Sequence, residues 1–399
     1  MFERRVGTPV DLHLGSLHMR LIHTSDWHFG KRFLENDMLP LQAEFCDWFV
    51  DLIKQESIDC VLVSGDVYDR ANPKDDAIDL LDDVLHRISG AGASIVLISG
   101  NHDSAERLQF GTRFMTGGGL HIRTERKDVG SIGAPVTITG RNGDQVEILP
   151  LPYLDPERVQ MQAGTVRNHE SVLRAVVDYQ IQQLKDPSRT IAMSHAFVVG
   201  GSTSESERNL IIGGTGSVPT SLFDSFGYVA LGHLHRPQEL GDGRLVYSGT
   251  PMPYSFSEEH EKSIRILDVD DRGITSEKVR SGTYRPVVTI TGTIDELTTS
   301  SKFDSHTSAF VRAKVTDSTF QVGAMERLRK RFPNILEMEH TSISAQGLLD
   351  AERLKELAKR SEEDVVREYV KETWPDGLDD FETRFLDEAL ANVLKEADQ

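Results

Sequence analysis

Apolar runs of β-branched and aliphatic residues recur through the first 235 positions, and each gives way abruptly to small or polar residues. Leu21-Ile22 leads into His23-Thr24-Ser25-Asp26-Trp27-His28, and Val61-Leu62-Val63 into Ser64-Gly65-Asp66. Ile95-Val96-Leu97-Ile98 leads into Ser99-Gly100-Asn101-His102-Asp103, Ile191-Ala192-Met193 into Ser194-His195, and Val229-Ala230-Leu231 into Gly232-His233-Leu234-His235. A short apolar run that stops at glycine or a small residue is the pattern of a buried strand feeding a loop. Between these runs the period changes. Leu41, Phe45, Trp48, Phe49, Leu52 and Ile53 share one face of a helix over residues 41–53, and Asn72-Pro73 opens a second with Ile78, Leu81, Leu85 and Ile88 inward. Alternating strands and core helices predict an α/β fold.

Beyond His195 the pattern loosens. Gly200-Gly201 to Gly213-Gly214 is a Ser/Glu/Gly-rich loop, too polar for a core, and reads as a lid on the substrate or partner side. The character changes again near Gly282 to Pro286. Val287–Thr291, Phe310–Val315 and Ile335–Met338 are expected strands, with a helix over Gln321–Arg331 whose Arg327, Arg329, Lys330 and Arg331 read as a solvated face. From about Gln346 the chain becomes helical and acidic. Leu349, Leu354 and Leu357 mark one helix, Val365, Val366, Tyr369 and Val370 a second, and Leu378, Phe381, Phe385, Leu390, Val393 and Leu394 a third, after the break at Trp374-Pro375-Asp376-Gly377. Residues 1–18 lack periodicity, and Met19 is an alternative start. The expected organisation is an N-terminal extension (1–18), a catalytic domain (19–280), a small capping domain (281–344) and a helical partner-binding tail (345–399).

The residues that end the strands carry the chemistry. Ligands in open α/β sheets gather at the carboxyl ends of the strands. Asp26, His28, Asp66, Asn101, His195, His233 and His235 should therefore converge if their strands share a sheet. Two divalent ions about 3.5–4 Å apart need a shared carboxylate with imidazole and oxygen donors on each side. Asp66, just after Gly65, is the natural bridge. Mixed nitrogen and oxygen donors without thiolate suit manganese, iron or zinc better than magnesium or calcium. His102, beside Asn101, is free to face substrate and assist a leaving oxygen, with Asp103 as the group that orients it. His23, inside the first strand, reads as a core or supporting histidine.

Asp-x-His, Gly-Asp, Gly-Asn-His-Asp, a solitary His and Gly-His-x-His, in that order, resemble the signature of the calcineurin-like metallophosphoesterases. Within them the wording is similar to SbcD-type nuclease subunits. The closer echoes are residues 24–31, Gly65-Asp66-Val67-Tyr68-Asp69-Arg70, Ser204-Glu205-Ser206-Glu207-Arg208 and the segment from Tyr247 to Phe256. The resemblance implies a four-layer fold, two packed β-sheets flanked by helices. It implies one ion on Asp26, His28, Asp66 and His235, and a second on Asp66, Asn101, His195 and His233. It also implies manganese-dependent 3′→5′ exonuclease action on duplex DNA, single-strand endonuclease action, a homodimer, and an SbcC-type ATPase partner related to the SMC proteins. A phosphodiesterase of the same fold acting on a small nucleotide is the alternative.

Composition then narrows the setting. A chain of 399 residues suggests two or three domains, and 38% hydrophobic residues without a membrane-length apolar run fit a globular protein. Cys46 and Cys60 are too few for a disulfide framework and read as buried thiols of a reducing cytoplasm. The net charge of −19 opposes long-range attraction to DNA. Locally, however, Lys31 and Arg32, Arg70, Arg107 and Arg236 each follow a metal motif and are expected to rim the cleft as DNA contacts.

Overall fold

The computed structural model describes residues 18–207, 216–282, 284–317 and 323–341, with residues 378, 382–387 and 389 beyond them. In the first part of the chain β1 (His18–Thr24), α1 (Leu39–Gln55), β2 (Cys60–Ser64), α2 (Asp75–Gly90), β3 (Ser94–Ile98) and β4 (Leu120–Arg123) alternate. The four strands lie side by side in that order, all parallel. A second group follows: β5 (Val136–Thr139), β6 (Gln145–Leu151), α3 (His169–Gln180), β7 (Ile191–His195), β8 (Tyr228–Gly232), β9 (Gln238–Leu240) and β10 (Leu245–Tyr247). Its strands form a second six-stranded sheet ordered β9-β10-β8-β7-β6-β5. The chain then returns through β11 (Ser263–Asp270) and β12 (Gly273–Arg280) to complete the first sheet as β12-β11-β1-β2-β3-β4.

The uninterrupted apolar runs are explained by burial on both faces of each strand. Val61, Val63, Ile95 and Leu97 pack outward against Phe45, Phe49, Val84 and Ile88 of the two helices. The alternate residues Leu21, Leu62, Val96 and Ile98 face the other sheet and meet Ile148, Ile191, Met193 and Ala230. On the far side Leu149, Ala192, Val229 and Leu231 pack with Val172, Val176 and Val177 of α3. Helix, sheet, sheet and helix make the expected four layers. One helix position departs from expectation. Ile78 is 40% exposed, and the inward face of α2 is Ala77, Leu81, Val84 and Ile88. Ile78 instead edges an open groove of about 430 Å³ with Leu108, Phe110 and Met115.

Beyond β12 come β13 (Val287–Gly292), α4 (Ile294–Thr299), β14 (Phe310–Val315), α5 (Ala324–Arg331) and β15 (Ile335–His340), the strands ordered β13-β14-β15 in one sheet. Helix α4 was not expected, although Thr293 and Glu296 announce it as a capping box, each side chain bonding the other's backbone N–H. The chain divides into two compact units. The first holds the residues up to Thr289 with Lys302–Arg312 and Phe332–Glu337, and the second holds Ile290–Ser301, Ala313–Arg331 and the residues from Met338 on. In the second unit Arg331 donates to the carbonyls of Leu297 and Ser300, so this cation ties α5 to α4. Residues 382–387 are helical. Apart from residues 378 and 389, the rest of the expected tail and the expected extension before residue 18 lie outside the described residues.

Candidate metal centre

Because β1, β2 and β3 are parallel and in register, their loops leave from one edge of the sheet. Asp26 donates its backbone N–H to Gly65, and His28 to Asp66, both at 3.0 Å. The second sheet delivers its residues to the same place. The Ser64 hydroxyl donates to the carbonyl of Ala230 at 2.9 Å, and the His195 Nδ1–H donates to the carbonyl of Ser64 at 2.9 Å. Gly232 lies so close to this junction that an added Cβ would sit 1.8 Å from the Ser64 carbonyl oxygen. The tight turns fall on the chemistry-bearing residues themselves. Asp26, His28, Asp66 and His233 have φ of 53°, 48°, 49° and 102°. Such conformations in non-glycine residues cost about 1–3 kcal/mol each, and they concentrate at functional sites.

The structure brings all seven expected donors together. Asp26, His28 and His235 each offer an atom within 4.8 Å of the others, as do Asp26, Asp66 and His195. His28 Nε2 lies 3.7 Å and His195 Nε2 3.5 Å from Asp66 Oδ2, so this carboxylate stands between imidazoles from the two sheets. Asn101 Oδ1 is 2.9 Å from His195 Nε2 and 3.1 Å from His233 Nδ1. The backbone N–H of His233 donates to both oxygens of Asp26, at 3.0 and 3.1 Å. His28 Nε2 and His235 Nε2 face one another at 3.2 Å.

This donor set fits divalent ions. Burial drives His28 well below the usual histidine range and His233 down to about 3, which favours the neutral ring with one N–H and one lone pair. The buried Nδ1 of His28 has no hydrogen-bond partner among the described residues. For His195, burial acts downward, but the Asp66 carboxylate outweighs it and raises the ring to about 9. His195 Nε2, Asn101 Oδ1 and Asp66 Oδ2 thus converge on one point with donor atoms that suit a divalent cation. Asp26 is pushed up by burial, and Asp66 is held well down by its histidine neighbours against burial.

His102 stands beside this cluster with its Nε2 3.9 Å from Asp66 Oδ2. Asp103 is the residue expected to orient His102. Its carboxylate accepts from the backbone N–H groups of Gly100, Val67 and Tyr68 and so pins two strand-end loops together. The His102 ring is anchored by the carbonyl of Asp69, which accepts from its Nδ1–H at 2.7 Å. Lys31 is only 13% exposed and pairs with Asp69 at 2.7 Å, which turns it inward from the expected rim. Arg32 is held by Glu35, Arg70 reaches Asp69 at 3.5 Å with its side chain 72% exposed, and Arg236 is exposed. Arg107 lines the open groove beside Ile78. His23 is buried, its ring nitrogens bonded to the Tyr228 hydroxyl and the Leu231 carbonyl.

Several supporting residues escaped the sequence reading. Asp69 closes a third cluster with His28 and His102. Gln42, buried in α1, donates to the carbonyls of Trp27 and His28 and accepts from Gly30 N–H, fixing the first loop. Glu258 and Lys262 are fully buried behind His235 and ion-paired. Burial would raise the Glu258 carboxyl, but Lys262 and His235 hold it below the ordinary carboxylate range. Asp69 falls within the segment Gly65–Arg70, whereas Gln42, Glu258 and Lys262 carry no comparable signal in the sequence.

Residues 19–237 match the calcineurin-like phosphoesterase family, and residues 283–373 match the domain model SbcD_C, described as the type 5 capsule protein repressor C-terminal domain. Among solved structures, GAP50, the anchor in the inner membrane complex of Plasmodium, is 14% identical with a TM-score of 0.40, covering 66% of this chain and 85% of its own. A protein of Thermus thermophilus (13% identical, TM-score 0.37) and a dimetal phosphatase from Danio rerio (14%, 0.36) each cover 66% of this chain and 99% of their own. The family match takes in more than half of the chain and every one of the seven converging donors, and the protein belongs to the calcineurin-like metallophosphoesterases, with the added C-terminal domain of SbcD-type subunits.

Proposed function

We propose that this protein is a two-metal phosphodiesterase acting on DNA, the nuclease subunit of an SbcCD-type complex. The observation that carries the reading is the joining of a complete donor set to an SbcD_C-type region at residues 283–373. Asp26, His28, Asp66 and His235 would hold one ion, and Asp66, Asn101, His195 and His233 the other. Two divalent ions so held supply an activated water and positive charge opposite the non-bridging phosphate oxygens. Manganese suits the mixed donors, and iron, zinc or magnesium would also be accepted.

The protein's own groups do the rest. Asp66 stands where both ions could share it. The Asp69 carbonyl holds the Nδ1 proton of His102, which leaves Nε2 to carry a proton toward the departing sugar oxygen. Buried surroundings exclude bulk water, and the left-handed backbone at four donors holds the cluster before substrate arrives. The exposed Arg32, Arg70 and Arg236 would meet the DNA backbone. By the same family likeness the activity is 3′→5′ exonuclease on duplex ends and endonuclease on single strands and hairpins, in DNA repair and recombination in the cytoplasm. An SMC-like SbcC-type ATPase and a second copy of this chain would complete the complex. Among the described residues no helix is long and apolar enough to cross a membrane.

The test is to incubate the purified chain with manganese and, separately, a labelled hairpin duplex and a cyclic nucleotide. Cleavage of the hairpin supports the reading. Turnover of the cyclic nucleotide with the hairpin intact would replace it by a small-molecule phosphodiesterase.

A further inference from the structure

We infer that Glu258 is a positioning residue for His235, acting through the hydroxyl of Ser206, and that the turn carrying Ser206 thereby couples the loop after His195 to one half of the metal centre. The inference rests on the two-metal reading above. Glu258 and Lys262 lie outside the donor set and outside residues 19–237.

The geometry is a relay. The His235 Nδ1 lies 2.6 Å from the Ser206 oxygen and 3.4 Å from Glu258 Oε1. Ser206 in turn donates its own proton to Glu258 Oε1. Nδ1–H therefore donates to Ser206, and Nε2 is left with its lone pair toward His28, 3.2 Å away. A carboxylate behind the remote nitrogen fixes the tautomer and the ring angle of a metal-binding histidine and makes it a stronger donor. Glu207 adds a second hold from the same turn, accepting from the His235 backbone N–H at 2.7 Å.

The charge on Glu258 is balanced on the spot. Lys262 donates to Glu258 Oε2, to Thr250 Oγ1 at 2.7 Å and to the carbonyl of His235 at 3.1 Å. Thr250 completes the set by donating to Glu258 Oε2 at 3.1 Å. Both charged side chains are wholly buried. A buried ion pair is a poor means of stabilising a fold, because well-packed apolar residues usually serve as well or better. Its place directly behind His235, grasping both the ring and the carbonyl of that residue, gives it a reason that stability does not.

A merely structural pair and a positioning pair differ in what a double substitution restores. Glu258→Gln leaves Lys262 buried without its partner and is expected to lower the melting temperature. Glu258→Gln with Lys262→Met removes both charges and should recover most of it. Calorimetric titration of metal-stripped protein with manganese is then the readout, with no DNA present. Positioning predicts two binding events, one weakened about 10- to 100-fold in the double variant and the other unchanged. Wild-type affinity in both events, in a folded double variant, overturns the inference. Should the double variant not fold, Ser206→Ala carries the test, because it breaks the relay at its middle and leaves the ion pair in place. Weakening of one event supports the inference and two unchanged events overturn it. Two ions bound by wild type without any cleavage of DNA would sink the nuclease reading and leave this inference standing.

Discussion

The Nδ1–H of His195 donates to the carbonyl of Ser64 across 2.9 Å, and this one bond joins the working ends of two different sheets. It decides which nitrogen of His195 is free. Nε2 is turned toward Asn101 and Asp66, both supplied by the other sheet. The site is thus a seam: Asp26, His28, Asp66 and Asn101 come from one sheet's loops, and His195, His233 and His235 from the other's. Anything that parts the sheets at Ser64 should part the two halves of the donor set.

Removal of His102 should separate chemistry from metal binding. Its ring is anchored to the Asp69 carbonyl, outside both four-residue sets assigned to the ions. His102→Ala is expected to keep two manganese ions and near-normal DNA affinity while slowing cleavage on the order of 10²–10⁴-fold. Loss of an ion, read by metal analysis, would show that His102 is a ligand.

Close approach at Gly100 makes a second prediction. A Cβ there would meet Asp66 Oδ1 at 2.1 Å and Asp66 N at 2.4 Å, neither of which can yield without moving the central carboxylate. Gly100→Ala should lower stability by about 1–3 kcal/mol, as overpacking does, and weaken binding of both ions. Gly117→Ala, with nothing within 4 Å of its added Cβ, is the control and should match wild type in both thermal denaturation and metal titration.

Much of this was legible in the chain because burial on both faces leaves continuous apolar runs, and the Ser, Gly, Asp and Asn that follow them are the usual residues where a strand gives way to a loop. Gly65-Asp66 and Gly100-Asn101-His102-Asp103 could be read as strand exits for that reason. The pattern was silent where polar residues go inside. Ser257-Glu258-Glu259-His260-Glu261-Lys262 has no apolar position to mark it as core, yet Glu258 and Lys262 are buried. Lys31 reads as a rim cation and is paired inside with Asp69. Asp103 reads as a partner of the adjacent His102, and its carboxylate also gathers three backbone N–H groups from two loops, a long-range arrangement that adjacency cannot announce. Ile78 satisfied the helical period and still faces out, because α2 is inward only through Ala77, Leu81, Val84 and Ile88.

Exposure sorts the basic residues by what they should do on DNA. Arg70→Ala and Arg236→Ala should each weaken binding across all sequences and reduce the slope of log affinity against log salt by about 1. Lys31→Met should leave that slope unchanged and lower turnover, since its partner Asp69 also holds His102. Filter binding over a salt series distinguishes them. A slope change for Lys31→Met equal to that for Arg70→Ala would put Lys31 back on the DNA surface.

Partner binding should separate from catalysis along the chain. Deleting the residues after about Ala345 is expected to leave metal-dependent cleavage of short substrates intact and to abolish co-purification with an SbcC-type ATPase. The apolar side expected of Leu378, Phe381, Phe385, Leu390 and Leu394, in an acidic segment ill suited to DNA, is better matched to protein. Retained partner binding by the shortened chain would refute the docking role.

Asp66 is expected to unite two metal sites in one active centre. The measurement is manganese stoichiometry of the metal-stripped protein, followed alongside cleavage of a labelled hairpin duplex, for wild type, His28→Ala and Asp66→Ala. Wild type should bind two ions per chain, with cleavage appearing as the second is filled. His28→Ala should weaken chiefly one site, and Asp66→Ala should weaken both and abolish cleavage. Two ions retained by Asp66→Ala, or hairpin cleavage by wild type in excess chelator, would contradict the account.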